Sequence, residues 1–200
     1  THNTAYSGAE GIGWIPVLEA RDLSGFLART RAAQPAYPDI YPAPASGTGR
    51  IAPVAMFAPA APHNRRALGY DMYSDAARAA AMAEAELTLR PAASGRIVLR
   101  QETSGTAPAF AIYMPVFRMN TPGERGLAGF VYTPFRAREF LDTAVVSGAR
   151  LDELEQVADC DRWQLSRDFR ALLGTSPYRY LQYRRVDLAK QLMREGVINE

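Results

Sequence analysis

The first hydrophobic run of the chain, "IGWIPVL" over residues 12–18, is short and carries Pro16. It predicts an edge strand, because proline has no N–H to give to a second neighbour. Residues 1–11 before it are polar and Gly-rich, without a period. In "EARDLSGFLARTRA" the apolar positions Leu23, Phe26 and Leu27 recur at i, i+3 and i+4, which predicts a helix packed along one stripe. Residues 34–50 hold four prolines and two glycines and predict a loop with at most a short strand. "IAPVAMFAPA" follows as a strand. Ser74 is a good N-cap for a helix running to about Leu89, rich in Ala, Met, Glu and Arg, and Pro91 ends it.

Three strand-like runs come next, at residues 95–101, 109–118 and 126–135, separated by the turn-forming segments "TSGTAP" and "MNTPGE". A helix from about Arg136 to Val145 closes this part. Strand, helix, strand, helix and a three-strand meander predict an α+β fold: a PAS-like antiparallel sheet with helices on one face, rather than a doubly wound sheet. After "VVSGAR" (145–150) everything reads helical. The expected division is a sensor-like domain over 1–148 and an all-α segment over 149–200.

Composition narrows the function. The chain has 48% hydrophobic and 22% charged residues, as an ordinary globular protein does, and its formal charge of +2 names no nucleic-acid or membrane partner for the whole. All but one (Lys190) of its 23 basic residues are Arg, a bias that fits a high-GC genome and weakens any single arginine as evidence of function. Cys160 is the only cysteine, and His2 and His63 the only histidines, so no intrachain disulfide, multi-histidine metal site or most His-dependent triads can form. No G-x-S-x-G, P-loop or HExxH motif is present, and no cofactor or catalytic residue is expected; the chain reads as a non-enzyme. The longest apolar candidate for a span, 51–62, has 12 residues and three prolines against the roughly 20 residues that crossing a bilayer needs. No signal peptide opens the chain, and both ends read as cut.

The segments "GWIP", "NRRALGYDMYSDAARAAAMAEA", "RPAASGRIVL", "YMPVFR" and "GFVYTPFRAREFL" make residues 12–145 resemble the CHASE domain, the extracytoplasmic sensor of cytokinin receptors and many bacterial kinases and cyclases. The long N-terminal helix usual before "GW" is missing, and Leu89 stands where the family usually has glycine. The resemblance implies a small planar nitrogenous ligand, adenine- or cytokinin-like, whose N–H groups donate to Asp71. It places Ala93 at backbone contacts to that ligand and Phe110, Tyr113 and Met114 in the pocket wall. The plainer reading of Asp71 is a cap on the turn before the Ser74 helix; that of the others is ordinary core.

"FRALLGTSPYRYL" and its surroundings make residues 151–196 resemble the first helix-turn-helix of the AraC family of transcription regulators, with the second motif missing. The resemblance implies duplex DNA as partner. Trp163, Ser166 and Arg167 would face the major groove, and Arg162, Arg170, Arg179, Arg184 and Arg185 can supply phosphate contacts. Eight basic and two acidic residues between 162 and 194 fit that footprint; an Arg-rich solvated face fits it as well. The two resemblances together predict a ligand-responsive, cytoplasmic transcription regulator, for which a homodimer is one assembly. The alternative is the periplasmic sensor of a membrane histidine kinase or cyclase, touching the membrane only through segments absent from this chain, with a composite or cropped tail.

Overall fold

The computed structural model describes residues 9–45, 49–100, 107–121, 124–146 and 162–194. Residues 10–134 make one compact unit, and Ala9 with the described residues from Phe135 onward belongs to a second.

The first unit is built on strands β1 (Ile12–Pro16), β4 (Met56–Ala58), β5 (Ala92–Ala93), β6 (Ala109–Thr121) and β7 (Glu124–Arg136), ordered β4-β1-β7-β6-β5. β1 pairs antiparallel with β4 and β7, and β5 with β6. β2 (Leu18–Glu19) and β3 (Arg50–Ile51) form a separate two-stranded ladder. The chain is therefore α+β with a mainly antiparallel sheet, and the long strands fall on the runs expected at 109–118 and 126–135.

Three local expectations are corrected. β1 is interior rather than an edge: Pro16 lies beyond Trp14, the last residue paired with β4, so the missing N–H falls where β1 has a neighbour on one side only. The run 95–101 makes no strand in its described part, only the isolated bridge Ile97 to Ala109. The Val98 carbonyl there is taken by a side chain, Arg78 Nη2 at 2.7 Å, instead of a ladder. Ser74 does not cap the helix. It closes a 3-10 turn over Met72–Ser74, and Asp75 is the N-cap, its Oδ1 accepting from the Arg78 amide at 3.1 Å.

Helices α1 (Leu23–Ala33) and α2 (Ala76–Thr88) pack on different cores. The alternation of β1 shows why: Trp14 joins Phe26, Tyr37 and Ile40 beside α1, whereas Ile15 joins Met82, Ala85, Tyr113 and Phe130 beside α2. The helices thus cover both faces, not one. Gly13 makes room on the α2 side, since a Cβ there would sit 2.1 Å from the Tyr132 ring.

The second unit contains α3 (Ala137–Val146), α4 (Arg162–Leu173) and α5 (Pro177–Arg194). Gly174, with φ +71, ends α4 and donates to the Arg170 carbonyl at 2.9 Å; Pro177 opens α5 with its φ already set. Phe169, Tyr180 and Leu181 form its core, with Leu141 and Leu173 packed against them. The first helix expected for a helix-turn-helix, over 151–158, and the division near residue 149 lie outside the described residues. An all-α helix-turn-helix segment is accordingly not shown; α4 and α5 are.

Candidate functional site

Asp71 sits where a short acid is locally favoured, at the start of the 3-10 turn, and its side chain reaches the amide two residues on. Its Oδ1 accepts from Tyr73 N at 3.1 Å and from Ala52 N at 2.9 Å. Its own amide donates to the Tyr41 carbonyl, and its carbonyl accepts from the Ser74 amide and hydroxyl at 3.1 and 2.6 Å. The residue is 5% exposed. Among the described residues no hydrogen bond is made by Oδ2, so the carboxylate keeps acceptor capacity beyond its structural duty.

The period of β6 separates the other expected contacts. Ala109, Ala111 and Tyr113 point into the core, with Tyr113 fully buried, while Phe110 is half-buried and Met114 is 53% exposed on the opposite face. Ala93 pairs with Ile112 and is exposed. Tyr113 lies near Asp71's turn, its hydroxyl 3.9 Å from the Met72 sulfur. The fold therefore brings Tyr113 towards Asp71 and sets Ala93, Phe110 and Met114 apart from them.

Sequence reasoning missed Arg78. It occupies one apolar stripe with Ala81, Met82 and Ala85, at i, i+3, i+4 and i+7, and all four are buried. An arginine interrupting an Ala-Met stripe was the available signal. Around it stand Tyr113 and Tyr132, stacked at 6.0 Å, and Tyr70, whose ring centre lies 5.5 Å from the guanidinium. Burial raises both the Tyr113 and Tyr132 phenols above their ordinary range, so both stay protonated.

Two ligand-sized grooves of about 800 and 640 Å³ also belong to this unit. The larger is charged, with Arg21, Arg29, Arg50 and Glu86 on its walls; the smaller is apolar, with Tyr37, Met56 and Leu68. Asp71 lines neither. Among the described residues no cluster of His, Cys, Asp or Glu is arranged to hold a metal, and no helix is long and apolar enough to cross a membrane.

In the second unit, α4 carries Trp163 at 87% exposure, with Arg167 and Arg170 exposed and Ser166 half-buried, while Phe169 turns into the core. The Arg162 side chain lies outside what is described. Arg185 is exposed on α5. Arg184 is engaged: its Nη2 donates to Asp142 Oδ2 at 2.7 Å, and Nη1 lies 3.6 Å from Asp187 Oδ2.

The CHASE domain family model matches residues 1–163. No curated protein matches the chain. Nothing in these comparisons supports the helix-turn-helix resemblance of residues 151–196, and the cytoplasmic regulator gives way to the sensor reading.

Proposed function

The chain belongs to the CHASE domain family, and we propose that it serves as the extracytoplasmic sensor module of a membrane-anchored signalling receptor, of the histidine kinase or cyclase kind. The family match carries this reading. In further support, Asp71 and Arg78 are polar groups fixed beside the apolar core that α2 covers; neither lines the two grooves, so a ligand that reaches them has to open space there. Oδ1 of Asp71 is held by two backbone amides, which aims the carboxylate without a flexible side chain having to be ordered at binding.

The ligand in this reading is small, planar and nitrogenous, of the adenine type, and donates N–H groups to Asp71 Oδ2. Tyr113 contributes to its wall. Calorimetric titration of the chain with adenine and an N6-substituted adenine tests the class. Saturable heat is expected, with affinity about tenfold or more lower in Asp71→Asn, since a hydrogen bond to a charged acceptor contributes roughly 1.5–3 kcal/mol. No heat with either purine ends the adenine reading. Equal affinity in the variant removes Asp71 from the contact.

One observation favours a second reading for α4 and α5, namely that Trp163, Arg167 and Arg170 share the exposed side of α4 opposite Phe169. Under it these residues meet duplex DNA, weakly and with steep salt dependence. Fluorescence anisotropy of the chain with a randomised duplex at about 50 mM salt decides it; absence of binding closes that reading and leaves the sensor unaffected.

A further inference from the structure

Arg78 is 2% exposed and has five N–H donors to satisfy. One bond is good, from Nη2 to the Val98 carbonyl at 2.7 Å. Nη1 has only long contacts, to the Tyr113 hydroxyl at 3.5 Å and the Met72 sulfur at 3.6 Å. Among the described residues Nε has no hydrogen-bond partner, and Asp75 Oδ2 stands 3.8 Å from it, beyond bonding range. The hydroxyl of Tyr132, a residue 2% exposed, is likewise buried without a partner. Arg100 reaches the same place, its guanidinium 4.4 Å from the Tyr70 ring centre and its Nη2 donating to the Tyr70 hydroxyl at 2.9 Å. That bond occupies Tyr70 as an acceptor and leaves its own proton to give.

Arg78, Arg100, Tyr70 and Tyr132 line one cavity of about 10 Å³, whose remaining walls are apolar apart from the Met72 sulfur. Among the described residues that line it there is no carboxylate or amide side chain. The polar groups are two guanidiniums and two phenols, all able to donate. Among the described residues the counter-charge beside Arg78 is Asp75, 3.8 Å from Nε and partly exposed, so the two guanidiniums leave a positive excess, and the low dielectric strengthens its attraction for any anion that arrives.

We propose that this cavity binds one small monovalent anion of halide size, held by Arg78 and Tyr132, with Arg100 and Tyr70 completing the shell. The volume sets an upper limit, since roughly 10–15 Å³ holds a single water-sized particle. A chloride or bromide, being larger than water, enters only if the walls yield, and gluconate does not enter. A water could accept from Arg78 Nε and donate to the Tyr132 hydroxyl, but it would cancel no charge. The proposal goes beyond the sensor reading and holds whatever ligand that sensor takes.

The test uses the whole chain in sodium gluconate, titrated with chloride and with bromide at constant ionic strength while the thermal midpoint is followed. A saturating rise of a few degrees with either halide, absent with added gluconate, is expected. Tyr132→Phe keeps the ring and deletes one donor, and should shift the half-saturating halide concentration upward about tenfold. Arg78→Gln should abolish the response. Should that variant not fold, a bromide-grown crystal of the wild-type chain replaces it, with an anomalous peak expected in the cavity. A midpoint indifferent to both halides, a response undiminished in Tyr132→Phe, or a crystal without the peak overturns the proposal.

Discussion

The carboxylate of Asp71 holds the amide of Ala52, nineteen residues earlier in the chain, at 2.9 Å. The same oxygen caps the turn through Tyr73, so one atom fixes both the local turn and the neighbouring backbone. Asp71→Ala should therefore destabilise the first unit by about 2–3 kcal/mol, as one buried and one partly buried amide lose a charged acceptor. Asp71→Asn keeps an oxygen there and should cost about 1 kcal/mol. Urea denaturation of the three proteins checks the order. Equal stability of Asp71→Ala and the wild type would show that the turn stands without the carboxylate.

The sequence made the strands at 109–121 and 124–136, the helix after residue 75 and the helices bearing Phe169 and Tyr180 legible, because each has a clear period or a Gly/Pro stop. It misled at Pro16, since an interior strand can carry proline past the end of one neighbour. It misled at 95–101, since a partner for the Val98 carbonyl came from a side chain that no local pattern reveals. The candidate site was read by type and not by direction. Tyr113 and Met114 were grouped although adjacent strand residues face opposite ways. Arg78 was overlooked because helix propensity accepts arginine anywhere; only its place on the Ala81–Met82–Ala85 stripe marks it.

Leu89 ends α2 in the left-handed region, with φ +58, where its Cβ crowds the backbone. Its side chain is 60% exposed, so little packing offsets the strain. Leu89→Gly should raise stability by about 1 kcal/mol, the relief at the left-handed residue exceeding the entropy that glycine adds to the unfolded chain. Leu89→Ala should give no such gain. A lower denaturation midpoint for the glycine variant would show that Leu89 packs better than its exposure indicates.

Tyr113 and Tyr132 make stability fall in alkali. Burial raises both phenols above the ordinary value of 10.0 that they regain on unfolding. Above about pH 10 the native chain therefore holds more protons than the unfolded one, and stability declines by up to about 1.4 kcal/mol per pH unit for each tyrosine until its folded value is reached. Below that pH their contribution is fully present. Urea midpoints between pH 8 and 11 should show the decline, and Tyr132→Phe should make it shallower. An unchanged slope in the variant would mean that Tyr132 ionises freely in the folded protein.

Asp142 on α3 gathers two residues of α5. Tyr180 donates its hydroxyl to Oδ1 at 2.6 Å, and Arg184 sets Nη2 on Oδ2 at 2.7 Å with Nε 2.6 Å from Oδ1. The two side chains of the ion pair are 34% and 26% exposed, so solvent weakens it, and about 1–2 kcal/mol is expected for removing Asp142. Asp142→Ala should cost more than Arg184→Ala, because it leaves Arg184 only the looser pair with Asp187 at 3.6 Å and the Tyr180 hydroxyl only the Arg138 carbonyl at 3.2 Å. The double variant should be no less stable than Asp142→Ala, the losses being shared. Denaturation of the four proteins measures the coupling. Strictly additive losses would show that Asp142 and Arg184 act independently and that their pair does not join α3 to α5.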